Sequence, residues 1–378
     1  MGKWRAIRDY FSLLDPWLLF FAGTLFVFGI LAIGSVDLAL DTRELALKQF
    51  QNFGFALVLM FSFAMLPSNF FKAYAKVGYW AGILALILLI FFGRTLNGTT
   101  GWFIIFGVSI QPLEFMKVAL ILELASYLSL RVGQPLKWGD WWQVGYRIAL
   151  PTCLVFLQPD LGGAIILVLI GIGAFYFGGV EWRRILIALT IGITLLTGGI
   201  FLTGFQLADY QRERFTSFLN PAADPLGAGY NLAQAKIAIG SGRWFGRGIG
   251  GGSQSQLNFL PESQTDFIFA VLAESLGFVG ITIILLLHLG WWGRWLYLAM
   301  RADDPFSARV LALSLTLFAG QALLHIGVNL GALPATGVTL PLMSYGGSSL
   351  LAFGALLGIG QSCARTRTLS DQSTLKYL

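Results

Sequence analysis

Charge is scarce in this chain. Only 12% of its 378 residues are Asp, Glu, Lys or Arg, about half the share found in soluble globular domains. Cysteine is scarcer still. Cys153 and Cys363 stand far apart, in or beside apolar runs, which leaves no disulfide framework and no cysteine metal site. His288 and His325 are too few and too separated for a histidine-based metal cluster. No internal repeat is evident, since the two Gln-Pro pairs at 111–112 and 158–159 are too short to count as one. The glycine-rich run at 238–254 is followed by no Gly-Lys-Ser/Thr and preceded by no strand, so a Walker loop and a dinucleotide fold are both excluded. No small-residue cleavage site follows the first apolar run, which therefore reads as an uncleaved span.

What is abundant is apolar surface, with 56% of residues hydrophobic. Several uncharged stretches, such as WLLFFAGTLFVFGILAIGSV at 17–36, reach the ~20 residues a helix needs to cross ~30 Å of hydrocarbon. The pattern predicts an all-α polytopic membrane protein, a single integral domain over 1–378. About ten transmembrane helices are expected near 16–36, 49–66, 75–93, 111–129, 144–157, 160–178, 184–204, 265–290, 308–330 and 342–363. With the N-terminus inside, the inner segments carry 16 Lys and Arg and the outer segments 8, with Lys117 inside a span. That bias puts both termini in the cytoplasm. The basic residues thus serve topology, and the formal charge of +6 does not imply a nucleic-acid partner. Residues 205–264 become a large extracytoplasmic loop between helices 7 and 8, too long for a passive connector.

Ionisable groups within membrane spans are functional candidates by default. In this topology Glu114 and Lys117, Asp160, Asp266 and the run SYGGSS at 344–349 all fall at outer helix ends. Four segments thus present polar groups at one level, which marks a candidate site. Each member also has a plainer reading. Glu114 and Lys117 are three apart and can pair with each other. Asp160 follows a proline and can simply cap its helix. The small residues of SYGGSS can serve close helix packing. Thr265 is the expected N-cap, with Asp266 first in its helix, where the dipole favours the carboxylate. Ala270, Ala273, Gly277 and Gly280 continue the Asp266 face, suiting either close packing or a groove for a lipid-like ligand. Glu123, Glu274 and His325 read as buried, hydrogen-bonded groups, and His288 as lying near the inner surface. Glycines at 238–254 can form an anion-binding nest beside Arg243 and Arg247, or simply a flexible surface loop.

Five ordered stretches carry a resemblance: QPLEFMK at 111–117, QPDLGG at 158–163, YQRERFTSFLNPAADPLGAGYNLAQAKIAIGSG at 210–242, GGSQSQLNFLPESQTDFIFAV at 251–271 and LPATGVTLPLMSYGGSS at 333–349. With them the chain resembles, over nearly its whole length, the SEDS family (shape, elongation, division and sporulation). The wording SQSQLNFLPE is more similar to its elongation branch than to its division branch. Leu113, Gln264, Ser275 and Arg243 depart from the usual family residues. The resemblance implies a ten-helix peptidoglycan glycosyltransferase of the bacterial cytoplasmic membrane, polymerising lipid II on its outer face. The family's essential aspartate maps onto Asp266, and its other motifs map onto Glu114, Lys117 and Asp160. An inverting transfer then needs a base, Asp266, and charge stabilisation at the leaving pyrophosphate. Lys117, Arg212, Arg214, Arg243 and Arg247 are candidates for the latter, joined by Lys236, Ser344, Tyr345 and Ser348 as substrate-binding residues. No cofactor is assigned; a divalent cation, Mg or Mn, is a further candidate at the pyrophosphate. The implied partners are undecaprenyl-pyrophosphate-linked glycan, a class B penicillin-binding protein transpeptidase and other elongation-complex membrane proteins. A lipid II flippase and a non-catalytic scaffold of the wall-synthesis complex remain rival readings.

Overall fold

The computed structural model describes residues 14–96, 98–105, 107–134, 136–203, 214, 216–218, 227–257 and 259–375. Among them are ten helices of seventeen residues or more: α1 (Pro16–Ala39), α2 (Glu44–Met65), α3 (Ser68–Phe92), α4 (Pro112–Ser129), α5 (Trp138–Phe156), α6 (Leu161–Phe177), α7 (Trp182–Thr203), α10 (Ile268–Arg301), α11 (Pro305–Asn329) and α12 (Gly347–Leu375). Two shorter helices, α8 (Ala228–Ser241) and α9 (Ser253–Gln256), lie in the stretch expected as a large loop. Five helices are long and apolar enough to cross a membrane: α1, α3, α10, α11 and the part of α12 up to Arg365. Apolar side chains such as Val58, Leu84, Phe91, Leu286 and Leu289 point outward, a surface suited to lipid.

Local chemistry sets the helix ends. Asp15 caps α1 by accepting from the Leu18 N–H at 2.9 Å, and Pro16 occupies the first position, where a missing N–H costs nothing. The Asp15 carboxylate also pairs with Arg294 of α10. Its backbone N–H donates to Gln361 of α12 at 2.7 Å, so three distant helices meet at this cap. Asp140 accepts from the Lys137 N–H at 3.0 Å, starting α5 six residues before the expected 144. Arg147, within both the expected and the observed helix, pairs with Glu123 at 2.8 Å. The core is continuous between helices. Phe318 of α11 packs with Trp291 (4.4 Å between ring centres), Trp295 (5.3 Å) and Phe353 (5.6 Å).

A three-stranded antiparallel sheet was not expected. β1 (Arg94–Leu96), β2 (Thr99–Ile105) and β3 (Val108–Ile110) follow one another in order between α3 and α4. The turns at Gly98 and Gly107 have positive φ, which glycine adopts at no steric cost.

The break in α10 at Gly277 governs the outer half of the fold. Gly277 has φ 67° and ψ −168°, and the helical ladder is interrupted there. The freed groups are satisfied by the glycine-rich segment after α8. The N–H groups of Arg247 and Gly248 donate to the carbonyls of Glu274 (2.9 Å) and Ser275 (3.0 Å). The N–H groups of Phe278 and Val279 donate in turn to the carbonyls of Arg243 (2.8 Å) and Trp244 (3.0 Å). Two readings left open by the sequence are decided here. The N–H groups of Gly246, Arg247, Gly248, Gly250 and Gly251 are bonded within the chain, and the small-residue face of α10 takes the close-packing alternative by receiving this segment. A Cβ at Gly277 would lie 2.2 Å from the Gly246 nitrogen. Gly277→Ala is expected to destabilise the protein by about 1–3 kcal/mol from backbone conformation alone, with the clash adding to it. Thermal unfolding in detergent measures the loss.

Candidate functional site

Several chain segments, four of them carrying most of the polar groups, enclose one partly open cavity of about 220 Å³. Sites for whole small ligands usually hold ~300–1,000 Å³, so this one suits the reacting end of a larger molecule. The first wall is the start of α4. Pro112 fixes its entry, and the helical spacing brings Lys117 Nζ to 2.7 Å from Glu114 Oε2. Both side chains are buried, at 3% and 6% exposure, where an unpaired charge would be strongly destabilising. Lys117 Nζ also donates to Gln321 Oε1 of α11 at 3.1 Å.

Asp160 forms the second wall. It caps α6, accepting from the Gly163 N–H at 2.7 Å, while still lining the cavity. Capping and site membership therefore coexist in one residue. Burial pushes its carboxyl upward, against the Gly163 N–H and the positive charge of Lys117.

The third wall carries Asp266 and corrects the predicted helix start. Residues 261–267 form a turn, and α10 begins at Ile268 with Phe267 as cap. Thr265 Oγ1 bonds Glu262 at its carbonyl (3.2 Å) and carboxylate (3.1 Å) and caps nothing. Asp266 is consequently not held in its charged form by a first-turn position. Burial raises its carboxyl from the ordinary 3.8 to about 6; Arg214 opposes the shift, while Glu262 and Asp160 reinforce it. The Arg214 guanidinium is itself lowered by burial and drawn back up by Asp266, then Asp160.

The fourth wall is the irregular stretch 331–346 between α11 and α12. Gly337, at φ 70°, comes so close that a Cβ there would sit 3.5 Å from Arg214 Nη2 and 3.6 Å from Asp266 Oδ2. Backbone contacts lock this stretch to the third wall. The Tyr345 N–H donates to Gln264 O at 2.8 Å, and Ser344 Oγ donates to Thr265 O at 2.7 Å.

Of the residues proposed from sequence, Glu114, Lys117, Asp160, Arg214, Asp266, Tyr345 and Ser348 line this cavity. Ser344 does not; its hydroxyl accepts from the Leu340 N–H at 2.8 Å and bonds Thr265, so it shapes the wall. Arg243 and Arg247 lie in a separate, shallower depression with Trp244 and Phe245, because their backbone is tied to the α10 break. Lys236 packs on Gly331, beyond the cavity wall. Arg212 lies outside the described residues. Glu274 accepts from the Gln254 N–H at 2.9 Å, and His325 Nδ1 lies 2.8 Å from Val338 O, the buried bonding expected of both. His288, expected near the inner surface, is buried within α10, its Nδ1 2.9 Å from Ile284 O. Sequence reasoning missed Trp102, Glu262, Gln321 and residues 336–339, all of which line the cavity. Glu262 and residues 336–339 fall inside two of the quoted stretches without being singled out there, and Gln321 carried a signal as an amide within an apolar helix.

Among the described residues no group of three His, Cys, Asp or Glu side chains is placed to hold a metal. Glu114 is tied to Lys117 and Asp160 to a backbone N–H, so the walls do not form a metal cage.

Comparison with known proteins gives consistent results. The FtsW/RodA/SpoVE "cell cycle protein" family model matches residues 12–369. The chain is 39% identical over 369 residues to peptidoglycan glycosyltransferase MrdB of Escherichia coli (strain K12), covering 95% of this chain and 96% of that protein. It is 38% identical over 284 residues to stage V sporulation protein E of Bacillus subtilis (strain 168), covering 74% and 76%. A solved chain described under structural coordination of polymerization and crosslinking by a peptidoglycan synthase complex superposes with TM-score 0.81 at 31% identity, covering 94% of this chain and 98% of that one. The rod shape determining protein RodA of Thermus thermophilus superposes with TM-score 0.70 at 29% identity, covering 94% and 97%.

The raised carboxyl has a measurable consequence. The folded state takes up a proton on Asp266 between about 6 and 3.8, so stability falls as pH rises through that window. Asp266→Asn removes the buried charge. It is expected to melt above the wild type at pH above about 6, with the gap closing as pH is lowered toward 3.8; thermal unfolding in detergent across pH checks this.

Proposed function

The chain belongs to the FtsW/RodA/SpoVE family, and on that premise we propose that it is a peptidoglycan glycosyltransferase polymerising lipid II into β-1,4 glycan strands during cell elongation. The observation that carries this reading is the meeting of Asp266, Arg214, Asp160 and the Lys117–Glu114 pair around one cavity.

Asp266 is the general base. It takes the proton from the 4-hydroxyl of the acceptor N-acetylglucosamine as that oxygen attacks the donor anomeric carbon. The new C1–O4 bond forms while the C1–O bond to pyrophosphate breaks, and undecaprenyl pyrophosphate leaves with the electron pair. Attack opposite the leaving group converts an α-linked donor to a β-linked product. A carboxyl raised to about 6 stays largely ionised at neutral pH yet is a stronger base than an ordinary aspartate, the compromise that favours proton transfer. General base catalysis contributes roughly 10²–10⁴-fold, so stabilisation of the leaving pyrophosphate must supply much of the remainder. Arg214 and Lys117 are the cations on the cavity wall, and Glu114 holds Lys117 in place. No step is assigned to a metal. A divalent cation, Mg or Mn, would arrive with the pyrophosphate, held by its oxygens and at most one or two carboxylates.

We read the ten long helices as ten spans of the cytoplasmic membrane, with both termini inside, the cavity facing outward and α8 and α9 within the outer loop. α4 falls short of a free-standing span because Glu114, Lys117 and Glu123 interrupt it; all three are buried within the protein, Glu114 and Lys117 against the cavity. A partner carrying the crosslinking transpeptidase, a class B penicillin-binding protein, fits a chain that superposes on part of a polymerising and crosslinking complex. A flippase would hold its polar groups near the bilayer midplane, whereas Asp160 and Asp266 precede the first residues of α6 and α10.

Purified protein given lipid II should form glycan polymer, and Asp266→Asn should lower the rate by roughly 10²–10⁴-fold. A variant of full activity would remove Asp266 as base. Lys117→Glu should impair binding or turnover by about tenfold or more, from the loss of a charge-assisted contact; unchanged kinetics would count against its pyrophosphate role.

A further inference from the structure

Three polar residues of α11 stand four apart on one face: Gln321, His325 and Asn329. All three are buried to 1% exposure or less, and each reaches a different part of the cavity. Gln321 Oε1 accepts from Lys117 Nζ, while its Nε2 donates to Thr339 at the carbonyl and the hydroxyl, both at 3.0 Å. His325 Nδ1 meets Val338 O at 2.8 Å. A carbonyl can only accept, so Nδ1 carries the proton. Nε2 is then buried with no partner among the described residues, a desolvation cost that a leucine would not incur. Asn329 Nδ2 donates to Asp266 O at 3.0 Å and to His325 O at 2.9 Å, and its Oδ1 accepts from the Ala270 N–H at 3.2 Å.

We infer that Gln321, His325 and Asn329 are positioning residues for glycosyl transfer, a rigid polar ladder that holds the proposed base, the Gly337 strap and the Lys117 cation in one register. The assignment rests on the proposed function for its chemistry. A turn before a helix and an irregular strap have no ladder of their own to fix them, so side chains on a regular helix supply their coordinates. The ladder touches backbone at Asp266, Val338 and Thr339 and side chain at Lys117. It therefore acts on geometry and leaves the bond-making groups free. Misplacement of a reacting group by 1 Å can cost about 100-fold in rate.

The test compares Asn329→Ala, His325→Leu and His325→Gln with wild type and Asp266→Asn in the lipid II polymerisation assay, alongside thermal unfolding and amide hydrogen–deuterium exchange. Asn329→Ala and His325→Leu should lower kcat by about 10–100-fold with KM nearly unchanged. The acid limb of the Asn329→Ala pH profile should move below that of wild type as Asp266 loosens toward solvent. His325→Gln, whose amide can still donate to Val338 O, should recover most of the rate. Exchange should rise at 262–270 and 333–346 in Asn329→Ala. Wild-type kcat in these variants, beside an inactive Asp266→Asn, would overturn the ladder and leave the proposed function standing. A loss that merely tracks thermal stability, with no rescue by His325→Gln, would also overturn it. Unaltered exchange at both segments would do so whether or not the wild type polymerises lipid II.

Discussion

Backbone that leaves a helix inside a protein without bulk water must find hydrogen-bond partners within the chain, because each unsatisfied group costs several kcal/mol in such surroundings. This constraint organises the outer half of the molecule. α10 is broken at Gly277, begins late at Ile268, and faces an irregular strap at 331–346. None of these can satisfy itself, so each satisfies another. The 243–248 segment fills the break, Tyr345 and Ser344 bond residues 264 and 265, and Gln49 bonds both Ser344 O (3.0 Å) and the Gly346 N–H (3.2 Å). The cavity lies where the 262–266 turn and the 336–349 stretch meet the starts of α4 and α6.

The same pairing explains how charges persist there. Glu114 and Lys117 are buried together, with Gln321 completing the ammonium's contacts. Asp160 is stabilised by a helix cap and Arg214 by two carboxylates. Burial raises both carboxyls, and Asp266 is pushed up to about 6 even beside Arg214. A group held at such a cost, in a cavity and beside a specific cation, is the pattern expected of a working residue. Stability is given up locally where chemistry is wanted, and the surrounding helices, packed through Trp291, Trp295, Phe318 and Phe353, supply the rigidity that tolerates it.

The separation of Arg243 and Arg247 from Asp266 sharpens the assignment of charge. Both arginines precede the base by about twenty residues and carry the expected sign for a pyrophosphate. Their backbone and that of their neighbours Trp244 and Gly248, however, is committed to Glu274, Ser275, Phe278 and Val279, about two to three turns along α10 from its start. Arg214, from the stretch expected as a large loop, is the cation that arrives beside Asp266. Of the candidates for the leaving group, Arg214 and Lys117 are the ones that line the cavity.

Much of this was legible in the residues themselves. Apolar runs marked the ten long helices to within a few residues at most ends, the i, i+3 spacing of Glu114 and Lys117 announced their pair, and the motifs around Asp160 and Asp266 singled out two cavity carboxylates. These are properties of neighbours in sequence, governed by helical period and by transfer from water. The strands at 94–110 escaped because they are short and bounded by glycines that equally suit loops. The start of α10 was misplaced because Thr265 is an ideal cap by type, and only its bond to Glu262 shows that it caps nothing. Packing alone decided the break at Gly277, the partner of Arg214, the proton affinity of Asp266 and what Gln321, His325 and Asn329 hold. Those outcomes depend on burial and on bonds between residues as far apart as Gln49 and Gly346, 297 positions along the chain, and no local pattern encodes which distant segment will exclude the water.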